Sequence, residues 1–149
     1  TRRSSDLLCV AIMEVYGTYM AQVAEVSVTE GNIKVHKVLV VSDQGNMVNP
    51  EIVRQQLESG IVYGLSGALY TENTLANGRI QQANFNDFTP IRQNQSPVID
   101  VTLVESANKP GGVGEPSTSL IGPAVANAIF AATGKRLRSM PLAKGLKSA

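Results

Sequence analysis

At 149 residues, 43% hydrophobic and 17% charged with a formal net charge of +1, the chain is long enough for one domain with its own core and lacks the charge footprint of a nucleic-acid or acidic-partner binder. Its single cysteine, Cys9, excludes an internal disulfide framework and a thiolate metal site, and its single histidine, His36, argues against a His-based metal or triad site, so no protein metal ligands are expected. No apolar run is long enough to span a membrane. The chain opens Thr1-Arg2-Arg3 with neither an initiator Met nor a signal-like run, and is expected to be a piece of something longer.

Thr18 to Thr29 is rich in Val and Ala and stops at Glu30-Gly31-Asn32, a turn signal. Ile33 to Ser42 then alternates, with Ile33, Val35, Leu39 and Val41 on one side and Lys34, His36 and Val38 on the other. This predicts a strand that closes a hairpin with the first and leaves His36 as an exposed strand histidine. Asp43-Gln44-Gly45-Asn46 reads as a loop. Asn49-Pro50-Glu51 is a helix start, with Asn as N-cap, Pro at the first helical position and an acid in the first turn. Val53, Leu57, Ile61, Leu65 and Leu69 recur at helical spacing and give the core face. Gln56, Gly60, Gly64 and Gly67 form a stripe on another face. Each interior glycine costs ~1 kcal/mol relative to Ala, so the stripe predicts a bulky neighbour, either another helix or a cofactor. Gln56, able to donate and accept, favours a ligand.

Leu75-Ala76-Asn77-Gly78-Arg79 predicts an Asn-Gly hairpin joining short strands at Thr71–Leu75 and Arg79–Asn84, and Pro97 to Glu105 predicts a further strand. Gly111-Gly112-Val113-Gly114-Glu115-Pro116 then leads into an apolar helix from Leu120 to Thr133. Glycines let backbone approach a ligand, and a helix N-terminus offers free N–H donors and positive partial charge. Glu115 is therefore a candidate general base, or else a plain acid favoured by the helix dipole. The helix carries Ile121, Val125, Ile129 and Ala132 on one face and Ala124, Ala128 and Ala131 on the other. A helix apolar all round is expected to lie inside a larger protein, and in the isolated segment its bare face should drive association into an oligomer. Gly134 suits the C-terminal cap, and Lys135-Arg136-Leu137-Arg138 reads as a solvated end with at most weak phosphate contact. The fold class is α+β, a mixed sheet of hairpin strands packed against two main helices.

These motifs resemble the xanthine oxidase/aldehyde oxidase family of molybdenum hydroxylases, and most of all the large subunits of isoquinoline 1-oxidoreductase and related aldehyde dehydrogenase type. The likeness runs in order through Tyr16 to Val26, Val48-Asn49-Pro50, Gln56 to Gly60, Ile61 to Tyr70, Gly112 to Pro116 and Ile121 to Arg138. The resemblance implies that residues 1–149 are the C-terminal segment of a molybdopterin-binding domain. It further implies that Glu115 is the base beside molybdenum, and that Gln56, Gly60, Gly112, Val113 and Gly114 contact molybdopterin, in its cytosine dinucleotide form. The implied reaction is hydroxylation of an N-heterocycle or aldehyde carbon with water as oxygen source, Glu115 working from an apolar, water-poor setting. The implied partners are the rest of the large subunit, an iron–sulfur small subunit and a small aromatic or aldehyde substrate, in a bacterial cytoplasm or periplasm. The segment alone is expected to lack cofactor and activity. Gly114-Glu115-Pro116-Ser117-Thr118-Ser119 stands where the family has Gly-Glu-Pro-Gly-Thr-Pro-Pro, Asp43-Gln44-Gly45 where it has Asp-Cys-Gly, and Asn84-Phe85-Asn86-Asp87-Phe88 where it has Asn-Phe-His-Asp-Tyr. These departures bear on substrate identity. The alternative is a non-catalytic ligand-binding or structural domain whose glycine loop packs or holds a phosphate.

Overall fold

The computed structural model describes residues 7–147, so the Thr1-Arg2-Arg3 opening lies outside the described residues. Strands β1 (Leu7–Val15), β2 (Thr18–Thr29) and β3 (Asn32–Asp43) form an antiparallel meander, and β6 (Val98–Leu103) joins β3 in parallel, giving a sheet of order β1-β2-β3-β6. Helices α1 (Pro50–Leu69) and α2 (Pro116–Thr133) cover one face, with a short α3 (Leu142–Lys147) at the end, and β4 (Leu75–Ala76) and β5 (Arg79–Ile80) make a separate ribbon. The α+β class with a mixed sheet on two main helices is as the sequence reads. Among the described residues no helix is long and apolar enough to cross a membrane.

Two-residue turns set the meander. Tyr16 and Gly17 have φ of 56° and 76°, and Glu30 and Gly31 have 51° and 74°. Paired positive φ values match the natural strand twist, so each turn fixes the register on either side. β1 is absent from the sequence reading, which begins its first strand at Thr18. The run Leu7 to Met13 and the Tyr-Gly turn are its signal, masked because β1 alternates apolar residues on both faces.

The facing of β3 corrects the expected alternation. Val26 of β2 pairs with Val35 and Glu25 with Lys37, so His36 is an extra residue in a β-bulge. The bulge shifts the phase beyond it. Val38, Val40 and Ser42 point to the core, whereas Leu39 and Val41 are exposed. His36 is half-buried rather than exposed, its Nε2 2.7 Å from Ser27 Oγ. The ribbon also falls short of the predicted strands. Beyond Leu75 and Ile80 Gln81 N still donates to Thr74 O at 2.9 Å, and the side chain of Gln82 then takes over, its Oε1 accepting from the Thr74 amide at 2.7 Å.

The core joins Met20, Ala24, Val26, Val38 and Val40 of the sheet to Leu57, Ile61 and Leu65 of α1 and Ile121, Val125 and Ile129 of α2. Each such side chain contributes about 1.5–3 kcal/mol on burial. Asn49 caps α1, its Oδ1 accepting from the amides of Glu51 at 3.1 Å and Ile52 at 3.2 Å. Gly134, with φ of 71°, ends α2 by donating to Phe130 O at 2.7 Å. α2 starts at Pro116, earlier than the apolar pattern suggests, because Pro is preorganised for the first helical turn. One side of α2, with Leu120, Ile121, Ala124, Val125, Ala128 and Ile129, is buried by the chain's own sheet and α1, and Pro123, Phe130 and Ala131 stay exposed on the other. The apolar strip that α2 exposes is thus narrower than its all-round apolarity suggests. A wider exposed apolar surface lies on the outer face of the sheet, where Leu8, Val10, Ile12, Tyr19, Leu39 and Val41 stand uncovered.

Candidate functional site

The turn at Tyr16–Gly17, the loop after β3, the first half of α1 and the glycine loop meet at one end of the sheet. Gly111 N donates to Gln44 O at 2.8 Å and Gly112 N to Tyr16 O at 2.9 Å, while Asn46 N donates to Asn108 O at 3.0 Å. These crossings leave no room for side chains. A Cβ at Gly45, where φ is 76°, would lie 2.8 Å from Asn108 O, and one at Gly111 would lie 2.7 Å from Gly17 O. Asp43 secures the same corner. Its Oδ1 accepts from Ser106 Oγ at 2.6 Å and from Gly45 N at 3.0 Å. The Ser106 hydroxyl first, and the Gly45 amide second, hold the carboxyl below its ordinary value of 3.8, with desolvation opposing them.

Beyond this clamp the loop opens. Nothing would stand within 4 Å of a Cβ at Gly114, whose carbonyl accepts from Gln56 Nε2 at 3.2 Å. Glu115 follows at the N-terminus of α2, its side chain exposed and making no capping hydrogen bond. The carboxylate is thus not engaged as a helix cap. Nor does it sit in an apolar, water-poor setting among the described residues, where it is exposed. A cleft of about 340 Å³ lies beside the loop, bounded by Gln44, Asn49, Val53, Pro110, Gly111 and Val113. A larger groove of about 720 Å³ along α1, lined by residues such as Glu58, Tyr63 and Ile91, contains none of the predicted site residues.

Of those residues, Gln56, Gly112, Val113, Gly114 and Glu115 are brought together. Gly60 is placed differently. The bulky neighbour of the stripe is α2: a Cβ at Gly60 would strike Ser117 Oγ, and one at Gly64 would strike Thr118 O and lie 2.5 Å from Ile121 Cγ2. Gly60 is buried at this helix crossing, so the close approach it permits is taken up by α2. Gly67 is exposed and outside the contact. At the basic end of α2, Arg136 stacks 3.7 Å over the Phe130 ring and donates to Asn127 Oδ1 at 2.9 Å. Thr18, Asp43 and Ser106 belong to the corner and are not singled out as site residues by the sequence; Thr18 lies within the Tyr16–Val26 motif, the Asp-x-Gly spacing hints at Asp43, and nothing local marks Ser106. Among the described residues no group of three or more His, Cys, Asp or Glu could hold a metal ion.

An α+β domain with a glycine loop, an amide and an uncommitted carboxylate at one sheet end belongs to the class of cofactor-binding domains. Residues 11–97 match the family described as molybdopterin cofactor-binding domain. The chain belongs to this family, of the xanthine oxidase type to which its motifs point. It is 38% identical to isoquinoline 1-oxidoreductase subunit beta of Brevundimonas diminuta, over 97% of this chain and 20% of that one. It is also 38% identical to a membrane-bound aldehyde dehydrogenase [pyrroloquinoline-quinone] of Gluconacetobacter polyoxogenes, over 80% of this chain and 16% of that one. Among solved structures it is similar to the aldehyde oxidoreductase from Desulfovibrio desulfuricans, with a TM-score of 0.77 and 26% identity, covering 89% of this chain and 15% of the other. The chain thus spans a fifth or less of the length of these relatives.

Proposed function

We propose that the chain is the C-terminal segment of the large subunit of a molybdenum hydroxylase, which hydroxylates an N-heterocycle or aldehyde carbon using water as the oxygen source. The observation that carries this reading is Glu115, an exposed carboxylate free of capping duty, set at the end of a glycine loop whose other end is clamped to the sheet. The residues fit a bound molybdopterin. Gly114 leaves open space on its Cβ side, and the Oε1 of Gln56 is not used by the bond that its Nε2 makes to Gly114. Gln56, Gly112, Val113 and Gly114 would hold the cofactor, in the cytosine dinucleotide form; Gly60 contributes by letting α2 dock. When bound, the cofactor supplies the metal and the two-electron redox chemistry.

Glu115 acts as the general base, its carboxylate accepting the proton that the oxygen nucleophile gives up. The two electrons of the carbon's broken C–H bond leave through the redox chemistry that the cofactor would supply. The clamp at Gly111–Gly112 ties the start of the segment to the sheet, while the open stretch at Gly114 allows cofactor and substrate to approach. Shielding of Glu115 from water falls to parts of the subunit outside this chain, and the apolar outer face of the sheet supports a role as one component of a larger body. Electrons would pass to an iron–sulfur small subunit, and the segment alone is inactive.

The test is metal and cofactor analysis of the full-length protein together with Glu115→Gln, using isoquinoline and an aldehyde as probe substrates. Molybdenum and pterin should be retained in the variant while turnover drops about 10²- to 10⁴-fold, the scale of a lost general base. Absence of molybdenum, release of pyrroloquinoline quinone in place of pterin, or turnover at the parent level would overturn the reading.

A further inference from the structure

The inner face of the sheet changes character toward the glycine loop. Ala24, Val26, Val38 and Val40 give way to Thr18, Gln22, Ser42 and Gln44, each no more than 2% exposed. With Ser117 above them they make five of the six buried polar residues described, the sixth being Ser66. Such a layer is a liability in a core, since a buried polar atom without a partner keeps its desolvation penalty. Gln22 Oε1, Ser42 Oγ, both amide atoms of Gln44 and Ser117 Oγ have no hydrogen-bond partner among the described residues. Apolar side chains of the same shape would suit the packing better.

Two members of the layer, Thr18 and Gln22, donate to the loop. Thr18 Oγ1 donates to Gly112 O at 2.7 Å, and Gln22 Nε2 donates to Ser117 O at 3.1 Å. These carbonyls lie on either side of Glu115 in the chain. Between them stand Gly114, which is conformationally permissive, and Pro116, which has no N–H to bond. The segment's other bonds include those from Gln56 Nε2 to Gly114 O at 3.2 Å and from the amides of Thr118 and Ser119 to Glu115 O at 3.0 and 3.3 Å, none of them from the sheet. We infer that Thr18 and Gln22, both on β2, are positioning residues that hold the two ends of the segment carrying the Glu115 carboxylate, and that these two buried polar side chains are kept for placement at the expense of stability. The inference rests on the reading of Glu115 as the base. It also gives a task to the Tyr16–Val26 motif, which the cofactor contacts leave without one.

The test uses the full-length protein with the shape-conserving variants Gln22→Leu and Thr18→Val, and Thr18→Ser as the variant that keeps the hydroxyl. In the first two, metal and pterin content and the KM for isoquinoline should stay at parent levels, and the thermal midpoint should be unchanged or higher. Turnover should fall about five- to fiftyfold, because misplacement of a reacting group by ~1 Å costs up to about 10²-fold. Hydrogen exchange at the amides of Val113 to Thr118 should quicken while that of β2 and β3 does not, and Thr18→Ser should restore both readouts. Parent-level turnover in Gln22→Leu and Thr18→Val, unchanged exchange in the loop, or a drop in thermal midpoint with loss of cofactor would overturn the inference. If Glu115→Gln is inactive and these variants are normal, positioning alone falls; if Glu115→Gln turns over like the parent, the base and its positioning fall together.

Discussion

The glycine loop and the excursion from Thr71 to Pro97 both connect a helix to a strand, and they are held in opposite ways. At Gly111 and Gly112 backbone meets backbone: two amides bond to Gln44 and Tyr16, and a side chain at Gly45 or Gly111 would not fit. Most bonds in the excursion are internal, as between Thr74 and Gln82, Asn86 and Asp87, or Arg92 and Gln95. Its ties to the body include Ile91 N donating to Ser66 Oγ at 3.1 Å and the Lys144–Glu72 ion pair at 2.8 Å. Internal bonds keep a shape without fixing a place. Backbone-to-backbone crossings fix a place, and the carboxylate proposed to act sits on the region that has them.

Substitution should expose this difference in three steps of decreasing size. Gly45→Val adds a β-branched side chain at φ of 76°, against the carbonyls of Asn108 and Lys109. Strain and overpacking together should destabilise the chain by about 3 kcal/mol or more, read by chemical denaturation; a loss below ~1 kcal/mol would mean that the two loops part easily. Asp43 gives a smaller, pH-dependent effect. Its folded-state carboxyl is held below its ordinary value, so its contribution is present above that ordinary value and is lost as pH falls through the lowered one. Parent and Asp43→Asn should therefore differ in thermal midpoint at neutral pH and converge in strong acid. A gap that widens on acidification would reverse the sign and remove Asp43 from the clamp. Phe85→Ser, at a side chain 82% exposed in the excursion, should change stability by no more than ~0.5 kcal/mol. A larger loss in the same denaturation experiment would show that the excursion is anchored after all.

Elements with strong local chemistry were legible in the sequence: the Asn49 cap and Leu57–Ile61–Leu65 face of α1, the Gly134 stop of α2, and the Glu30-Gly31 hairpin. Features that depend on a partner strand were not. β1 escaped because its outward residues, Leu8, Val10 and Ile12, are as apolar as its inward ones, so no polar alternation marks it. The bulge at His36 is defined by the register with β2, and no periodicity within β3 could announce it. At the site, the resemblance of motifs to a known family drew Gln56 and the glycine loop toward Glu115, whereas the true neighbour of Gly60, the first turn of α2, could be seen only once the helices were crossed. Thr18 and Gln22 read as ordinary members of a strand, since nothing local tells a buried polar side chain from an exposed one.

That bulge also makes β3 a strand with a residue to spare. In a regular strand, losing one residue exchanges the two faces for everything downstream. Here Val35 faces inward before the bulge and Val38 after it, with Lys37 outward between them. Without His36 the sequence Val35, Lys37, Val38 would simply alternate, and every later side chain would keep its side. Position 36 is therefore where β3 can change length without turning over. A His36 deletion should melt close to the parent, whereas deleting Leu39 should collapse the fold by driving Val40 and Ser42 out of the interior. If thermal melting shows the two deletions to be equally damaging, the extra residue is needed for the bend it gives the strand.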